Sequence, residues 1–477
     1  MPDQKYHTET EEKVQAIGSQ DDWEKKIVAR LPVQLEEQAK KLKAIERCRE
    51  IGKASDLLRG LLAYVYVTHS FQHLSMWSVL LGVADMSANA WRKRLQKASV
   101  WLDWLLQEVL AQAVPFSPWL VQGGLKRILL IDGTHWKCFG PHGVVWRVHA
   151  AFDLLAGRLT QVKVTDCHEG EHLEIFDLQQ GDLVVTDRAN GLRKRIVFVL
   201  SKLADIVVRI SPSKFPMEDE QGKVIVLLDW LKGLHAPAGR IASRLVWITY
   251  AHKRIKLRLI AFRLSEEQQE KAERRTKRKA SKNQQKVQQN TLYFAGWVLV
   301  VTTLPTESWS DQQILRLYQA RWHIELLFKR IKQLLKLQSL RCTTAATAKP
   351  TITALLLGWA LLEENGATVR LAMRDAMHCT ELIKEGKLFG LEVTGSWWQD
   401  DRGDPLSEWM LAEACFDLFC QQIRGCYTTE RFQACLPRLQ RFLCSGHRDR
   451  PHLYSQVSRW LGTPVTEPAA HQETMAA

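Results

Sequence analysis

The sequence predicts an α/β protein: a mixed five-stranded sheet core with helices against it, a β-rich insertion, and helical regions at both ends. Three observations predict it. Between residues 126 and 210, short apolar runs alternate with helical periodicity in the order β-β-β-α-β-α-β. From 211 to 292 strand patterns dominate. Before 126 and after 345, apolar residues recur at helical spacing. A chain of 477 residues holds two to four domains of roughly 100–200 residues each.

The elements follow in order. Residues 1–70 form an N-terminal helical region, with apolar positions at helical spacing in "DLLRGLLAYVYVTHSF". Residues 71–125 give a helix, a break at Gly82, Ser87 as N-cap, and a second helix bearing Arg92, Lys93, Arg94 and Lys97. Two readings fit this pair: a DNA-binding helix-turn-helix, or a helical bundle with a solvated basic face. "KRILLIDGTHWK" is a buried strand ended by Asp-Gly. "VVWRVHAAFDLLAGRLTQVKVTD" is two strands around a Leu-Ala-Gly turn, with Asp153 and Asp166 as turn residues. "HEGEHLEIFDLQQ" reads as a helix, "GDLVVTDRANG" as a buried strand ending in Asp187, "LRKRIVFVLSKLA" as a helix, and "DIVVRIS" as the fifth strand.

In 211–292 three segments read as strands: "KVIVLLDWL", "ASRLVWITYAH" and "RIKLRLIAFRL". The basic stretch "KAERRTKRKASKNQQKVQQN" has few apolar anchors and reads as an exposed helix or loop. Residues 293–345 return to strand in "LYFAGWVLVVTTLP". One long helix then runs through "SDQQILRLYQARWHIELLFKRIKQLLKL", with Ser310 as N-cap and Asp311 in its first turn. Residues 346–477 are a C-terminal helical region with Trp/Gly/Asp-rich loop material around 394–405.

A hydrophobic content of 46% with 25% charged residues is that of a soluble globular chain, and a net charge of +14 leans towards a polyanionic partner. Charge alone does not separate nucleic acid from a membrane surface. The most apolar stretch, "TITALLLGWALLEENG", is short and ends in acids, so it reads as a buried helix and no membrane partner is expected. The polar, acidic N-terminus has no apolar export core, and ten cysteines on a lysine-rich chain fit a reducing cytosol. Cys415, Cys420, Cys426, Cys435 and Cys444 lie near His447 without a C-x-x-C pair. Buried reduced thiols fit them better than a zinc site.

The chemistry-bearing pattern starts at Glu325, set among Arg321, Lys329, Arg330 and Lys332. On a wheel of about 100° per residue, Tyr318, Arg321, Glu325 and Lys332 fall within about 60° of one another, at the edge of the apolar face. Alone, that is also the pattern of an exposed salt-bridge ladder. Asp132 and Asp187 change the weighting, because each ends a buried strand and the two strands can be neighbours. Two carboxylates at one sheet edge repel each other unless cations sit between them. A third carboxylate from a packed helix would complete an all-oxygen site for two divalent ions and phosphodiester chemistry.

"IDGT" around Asp132, "TDRA" around Asp187 and Tyr318-x-x-Arg321-x-x-x-Glu325-x-x-x-x-x-x-Lys332 together resemble the DDE transposases of the insertion-sequence-four family, with their Y-R-E-K signature. The resemblance covers about residues 125–345. It implies an RNase H-like core formed by 126–210 and 293–345, split by a β-rich insertion domain at 211–292. It implies that Asp132, Asp187 and Glu325 are catalytic and hold two Mg²⁺ ions, with Mn²⁺ able to substitute. Tyr318, Arg321, Lys332 and Arg209, with Arg188 and Lys329, would contact DNA, and Trp297 and Trp322 would receive a flipped base if an end is processed through a hairpin. The implied activity is cut-and-paste transposition. A homodimer would bind terminal inverted repeats of double-stranded DNA, cleave them, and join 3′-OH ends to target DNA in the bacterial cytoplasm, at the nucleoid. Residues 346–477 would be the dimer surface. A metal-dependent nuclease of the same fold without strand transfer, and a non-catalytic domesticated DNA-binding protein, are the alternatives. A zinc reading of "DCHEGEH", with His168, Glu169, Glu171, His172 and nearby His135, is weaker because hard oxygen ligands already account for the pattern.

Overall fold

The computed structural model describes residues 22–81, 83–112, 125–137, 145–335, 342, 344–384 and 408–424. Strand β1 (Arg127–Lys137) carries Ile128, Leu129, Leu130 and Ile131, all buried. Successive side chains leave a strand on opposite faces. Ile128 and Leu130 therefore enter one core layer, and Leu129 and Ile131 the other. Burial on both faces is why the run is apolar without interruption.

β2 (Val145–Asp153) and β3 (Arg158–Asp166) form an antiparallel hairpin beside β1. On the other side of β1 lies β4 (Asp182–Thr186), parallel to it, followed by β5 (Asp205–Arg209), parallel to β4. These are the five expected core strands. The insertion continues the same sheet, since β6 (Ile241–Tyr250) and β7 (Lys253–Arg263) pair as a hairpin and β8 (Trp297–Thr302) joins β7 to β5. Among the described residues the order is β3-β2-β1-β4-β5-β8-β7-β6.

Helices α1 (Leu35–Lys41), α2 (Ala54–Ala63), α3 (Phe71–Leu80), α4 (Ala88–Lys97) and α5 (Ser99–Gln112) precede the sheet. Helices α6 (Arg193–Ser201) and α7 (Leu227–Gly233) cover one face, adding Ile196, Val199, Leu227 and Leu231 to its core. Helices α8 (Glu266–Lys282) and α9 (Gln289–Ala295) separate β7 from β8. The other face receives α10 (Asp311–Ala320) and α11 (Trp322–Leu334), through Ile314, Leu317, Ile324, Leu327 and Ile331. Helices α12 (Ala345–Lys384) and α13 (Glu408–Arg424) pack on the N-terminal helices. Tyr66 Oη donates to the Leu355 carbonyl at 2.5 Å, and Arg59 Nε to that of Ile423 at 3.0 Å. The stretch Ala345–Glu363 is long and apolar enough to cross a membrane, which corrects the reading of it as short. With 83% of it buried, it is a core helix of this protein.

Several local expectations differ from the structure. The predicted helix at "HEGEHLEIFDLQQ" is a single 3-10 turn, Leu173–Ile175, because Leu173, Phe176 and Leu178 bury at an irregular spacing. The predicted strand "KVIVLLDWL" leaves Val224 and Val226 exposed and becomes helix α7, which buries Leu227 and Leu231 one turn apart. Asp132 does not end β1. It stands where pairing with β4 stops at Ile131↔Thr186, while β1 runs on to Lys137 against β2. The single long helix divides at Arg321, where Arg321 N–H donates to Tyr318 O at 3.3 Å and Ile324 N–H to Arg321 O at 3.2 Å. Those bonds span three residues instead of four, so the chain tightens there without Pro or Gly. Cys415 and Cys420 pack within α13, and burial pushes the Cys420 thiol up to about 12. Cys426, Cys435, Cys444 and His447 lie outside the described residues, as does much of 346–477.

The β1–β4 register starts at Arg127↔Asp182, where Arg127 Nε and Nη2 donate to the two Asp182 oxygens at 2.7 and 2.6 Å. Asp182 is 1% exposed. Removing one partner of a buried pair strands the other, so Asp182→Ala should cost about 3–5 kcal/mol, read as a lower urea midpoint at unchanged slope. A loss below about 1 kcal/mol would show that the pair behaves as a surface contact.

Candidate active site

One step past the last β1–β4 pair, Ile131↔Thr186, come Asp132 and Asp187. Side chains alternate along a strand, so Asp132 follows Leu130, and Asp187 follows Val185, on the face that carries α10 and α11. Each aspartate is oriented by a backbone amide: Gly133 N–H donates to Asp132 Oδ1 and Ala189 N–H to Asp187 Oδ1, both at 2.8 Å. Behind Asp187, Thr186 Oγ1 donates to the Ile131 carbonyl and receives Asn190 Nδ2 at 2.8 Å. Arg195 Nη1 donates to Asn190 Oδ1 and the Ala189 carbonyl, both at 2.6 Å, and Nη2 donates to the Glu171 carbonyl. "TDRAN" is thus a braced turn.

Glu325 reaches the site through Arg321. The guanidinium donates from Nη1 to Asp132 Oδ2 at 3.2 Å and from Nη2 to Glu325 Oε1 at 2.5 Å. Asp132 and Arg321 are 15% exposed, and Glu325 34%. Burial opposes the Arg321 charge, but Tyr318, Glu325 and Asp132 outweigh it and raise its pKa. Lys332, two turns beyond Glu325 on α11, donates to Thr134 Oγ1 at 2.6 Å, and burial lowers its pKa. The expected grouping of Tyr318, Arg321, Glu325 and Lys332 on one side is therefore met in space, with Thr134 as an added partner.

Asp132 is pushed up to about 6, chiefly by burial, with Asp187 and Glu171 adding to it against Gly133 N–H and Arg321. Glu171, itself raised by burial and then by Asp187, approaches from the far side of β1. A Cβ on Gly133 would lie 3.1 Å from its Cγ. Carboxylate oxygens are the donor type that suits a hard divalent cation. In this structure Arg321 is the cation between two of them, and among the described residues no three Asp, Glu, His or Cys side chains gather closely enough to share an ion.

The remaining expected residues divide. Arg188, Arg209, Tyr318 and Arg321 line a cleft of about 410 Å³ beside Asp187. Gly191 permits this wall, since a Cβ there would stand 2.4 Å from the Arg209 carbonyl. Lys329 is exposed on α11 and Trp322 is 54% exposed beside Arg321. Trp297 differs from expectation. It is 3% exposed, with Arg263 at 5.2 Å over its ring and Tyr293 against it, so no face is open to a base. Its neighbours on β8 are core strand residues, and that packing accounts for its burial. Asp153 and Asp166 accept backbone amides of their turns, and His172 pairs with Glu169 at 2.6 Å. Sequence reasoning left Thr134, Asn190 and Arg195 without roles. The first two lie inside the motifs around Asp132 and Asp187, and Arg195 has no local signal.

Residues 123–361 match the family described as Transposase DDE domain. The chain is 32% identical over 357 residues to a putative transposase InsL for insertion sequence element IS186A of Escherichia coli (strain K12), covering 72% of this chain and 94% of that relative. It is also 32% identical over 358 residues to the transposase for insertion sequence element IS421 of Escherichia coli, with the same coverage.

A pH dependence follows from Asp132. Its folded pKa of about 6 lies above the ordinary carboxyl value of 3.8, so the native state binds more protons than the unfolded chain in that window. Stability of the cation-free protein is therefore greatest below pH 4 as far as this group is concerned, and falls as pH rises through 6, by on the order of 3 kcal/mol. In EDTA, Asp132→Asn should gain stability relative to the parent between pH 4.5 and 7. Parallel urea-midpoint curves for the two proteins would show that Asp132 titrates normally.

Proposed function

Because this chain belongs to the DDE transposases, and the insertion-sequence-four label agrees with its relatives, we propose that it cuts and joins DNA at the ends of an insertion element. The observation that carries the proposal is Arg321 bridging Asp132 and Glu325, with Asp187 at the register level of Asp132. Carboxylates from two separated motifs share one guanidinium, and the aspartate of the third lines the cation-rich cleft that Arg321 also lines.

In this reading water attacks the phosphorus at each element end, the P–O3′ bond breaks and a 3′-hydroxyl is released. That hydroxyl attacks the opposite strand to give a hairpin, and after hairpin opening attacks target DNA. Two Mg²⁺ ions held by Asp132, Asp187 and Glu325, with Mn²⁺ as substitute, would supply charge to activate the attacking oxygen and stabilise the leaving one. The chain's own cations do the positioning. A phosphate offers Arg321 two oxygens in the fork geometry that guanidinium prefers, and so draws it from Asp132 and Glu325. Tyr318, Arg188 and Arg209 line the same cleft, Lys332 stands over Thr134, and Lys329 extends the basic surface along α11. The exposed ring of Trp322 offers a stacking face for an unpaired base.

The α3–α4 pair is the candidate helix-turn-helix for the terminal inverted repeats. Ser87 caps α4 by accepting from Ala90 N–H. Arg94 donates to the Ala44 and Arg47 carbonyls and Lys97 pairs with Glu46, which leaves Arg92 and Lys93 as the exposed cations for DNA. Residues 346–477 remain the proposed homodimer surface, and the bacterial cytoplasm, at the nucleoid, the proposed location.

Glu325→Gln should lower Mg²⁺-dependent cleavage of an element-end fragment by about 10³-fold, the worth of several kcal/mol of charge stabilisation, with end binding within about twofold of the parent. Wild-type cleavage by this variant would refute the site. A pre-cut end that the parent chain fails to join to plasmid DNA would favour the nuclease without strand transfer.

A further inference from the structure

The cleft beside Asp187 has a second wall outside the motifs. Besides Arg188, Arg209 and Arg321, it is lined by Arg275, Thr276 and Lys279 of α8. This helix has 17 residues and buries none of them, and its start is fixed by a capping box in which Ser265 receives Gln268 N–H. Its partly covered stripe is Gln269, Ala272, Glu273, Thr276 and Ala280. A globular surface helix is ordinarily held by an apolar stripe, and alanine methyls are all this one offers. Its charge is also divided. Glu267 and Glu270 of the N-terminal half pair with Lys271 and Arg274. From 274 to 282 there are cations and no acid.

The cations that meet across the cleft lack partners. The side chains of Arg188, Arg209, Arg275 and Lys279 make no hydrogen bond or ion pair among the described residues. After burial, the Arg209 charge is the next cause lowering the Arg188 pKa, so the two guanidiniums repel each other there. A solvated basic face would spread its charges into water, whereas these converge on one concave site whose acid is Asp187. Such a site recognises a polyanion. A cleft of about 410 Å³ takes a short stretch of one strand's backbone.

We propose that α8 is a phosphate clamp: Arg275 and Lys279 close from the insertion over one DNA strand and hold backbone phosphates next to the scissile one, against Arg188 and Arg209. The inference rests on the proposed function, since Asp187 marks where the reacting phosphate lies. It gives the insertion a role in holding DNA that is independent of sequence.

The test measures binding of the full chain, in EDTA to prevent cleavage, to a fluorescein-labelled duplex with a short unpaired end, from 50 to 200 mM salt. Each neutralised phosphate contributes about 0.7–0.9 to the slope of log K against log salt. Arg275→Ala with Lys279→Ala should flatten the slope by about 1.5 and weaken binding at least about tenfold at low salt. Lys277→Ala with Arg278→Ala removes the same charge from the outer face of α8 and should change the slope by under about 0.5. Arg275→Lys with Lys279→Arg should retain the parent slope. If the cleft variant and the outer-face variant have equal slopes and affinities, the clamp is overturned while the triad stands. The triad is tested separately, by cleavage with Glu325→Gln.

Discussion

The parallel register of β1 against β4 is the constraint on which the site depends. It starts at the buried Arg127–Asp182 pair and carries Asp132 and Asp187 to the same level, five residues along each strand. A shift by one residue would turn one aspartate to the opposite face. Two devices exclude that shift: the two-pronged ion pair at one end, and the bond from Thr186 Oγ1 to the Ile131 carbonyl at the other. The apolar pairs between them bury on both faces of the sheet. Fold stability and carboxylate placement therefore come from the same residues.

Once the aspartates are side by side, electrostatics dictates the rest. Burial with like charges nearby raises the Asp132 pKa, and Arg321 is the buried countercharge within reach. That guanidinium also fixes Glu325, so the third carboxylate is placed by its attraction to a cation it shares with the first. The tightening of the helix at Arg321 belongs to this arrangement, because the residue at the joint is the one that spans both carboxylates.

Much of this was legible in the sequence. Runs buried on both faces, such as "RILLI" and "DLVVT", announced central strands, and Ser87 and Ser310 cap their helices as their residue types suggest. The wheel grouped Tyr318, Arg321, Glu325 and Lys332 because they lie within about four turns of one helical path. What escaped was set by distant contacts. Val224 and Val226 look like strand residues, but nothing covers them, and the chain buries Leu227 and Leu231 by turning helical instead. Trp297 has the composition of a base-stacking residue, and only the sheet packing around β8 shows its face to be covered. Arg275 and Lys279 read as ordinary solvated charges. Their meaning depends on a cleft whose other wall begins nearly ninety residues earlier in the chain, at Asp187.

The two sides of the cleft differ in how firmly they are held, and the difference suits what each does. The two aspartates sit on β1 and at the end of β4, beside fully buried residues, and own-loop amides and the Thr186–Asn190–Arg195 chain fix their orientation. Groups that direct reacting atoms need placement to within about half an ångström, which rigid elements supply. The phosphate-facing cations lie on long side chains, and those of α8 on a helix without one buried residue. Elements with few buried apolar contacts open at low free-energy cost. On the proposed clamp, a strand entering or leaving the cleft would displace α8 without disturbing the aspartates. A better-anchored α8 would grip DNA more tightly but would have to lose buried contacts each time the strand moved. The alanine-lined inner stripe of α8 is the compromise: enough contact to place its cations over the cleft, and too little to lock it shut.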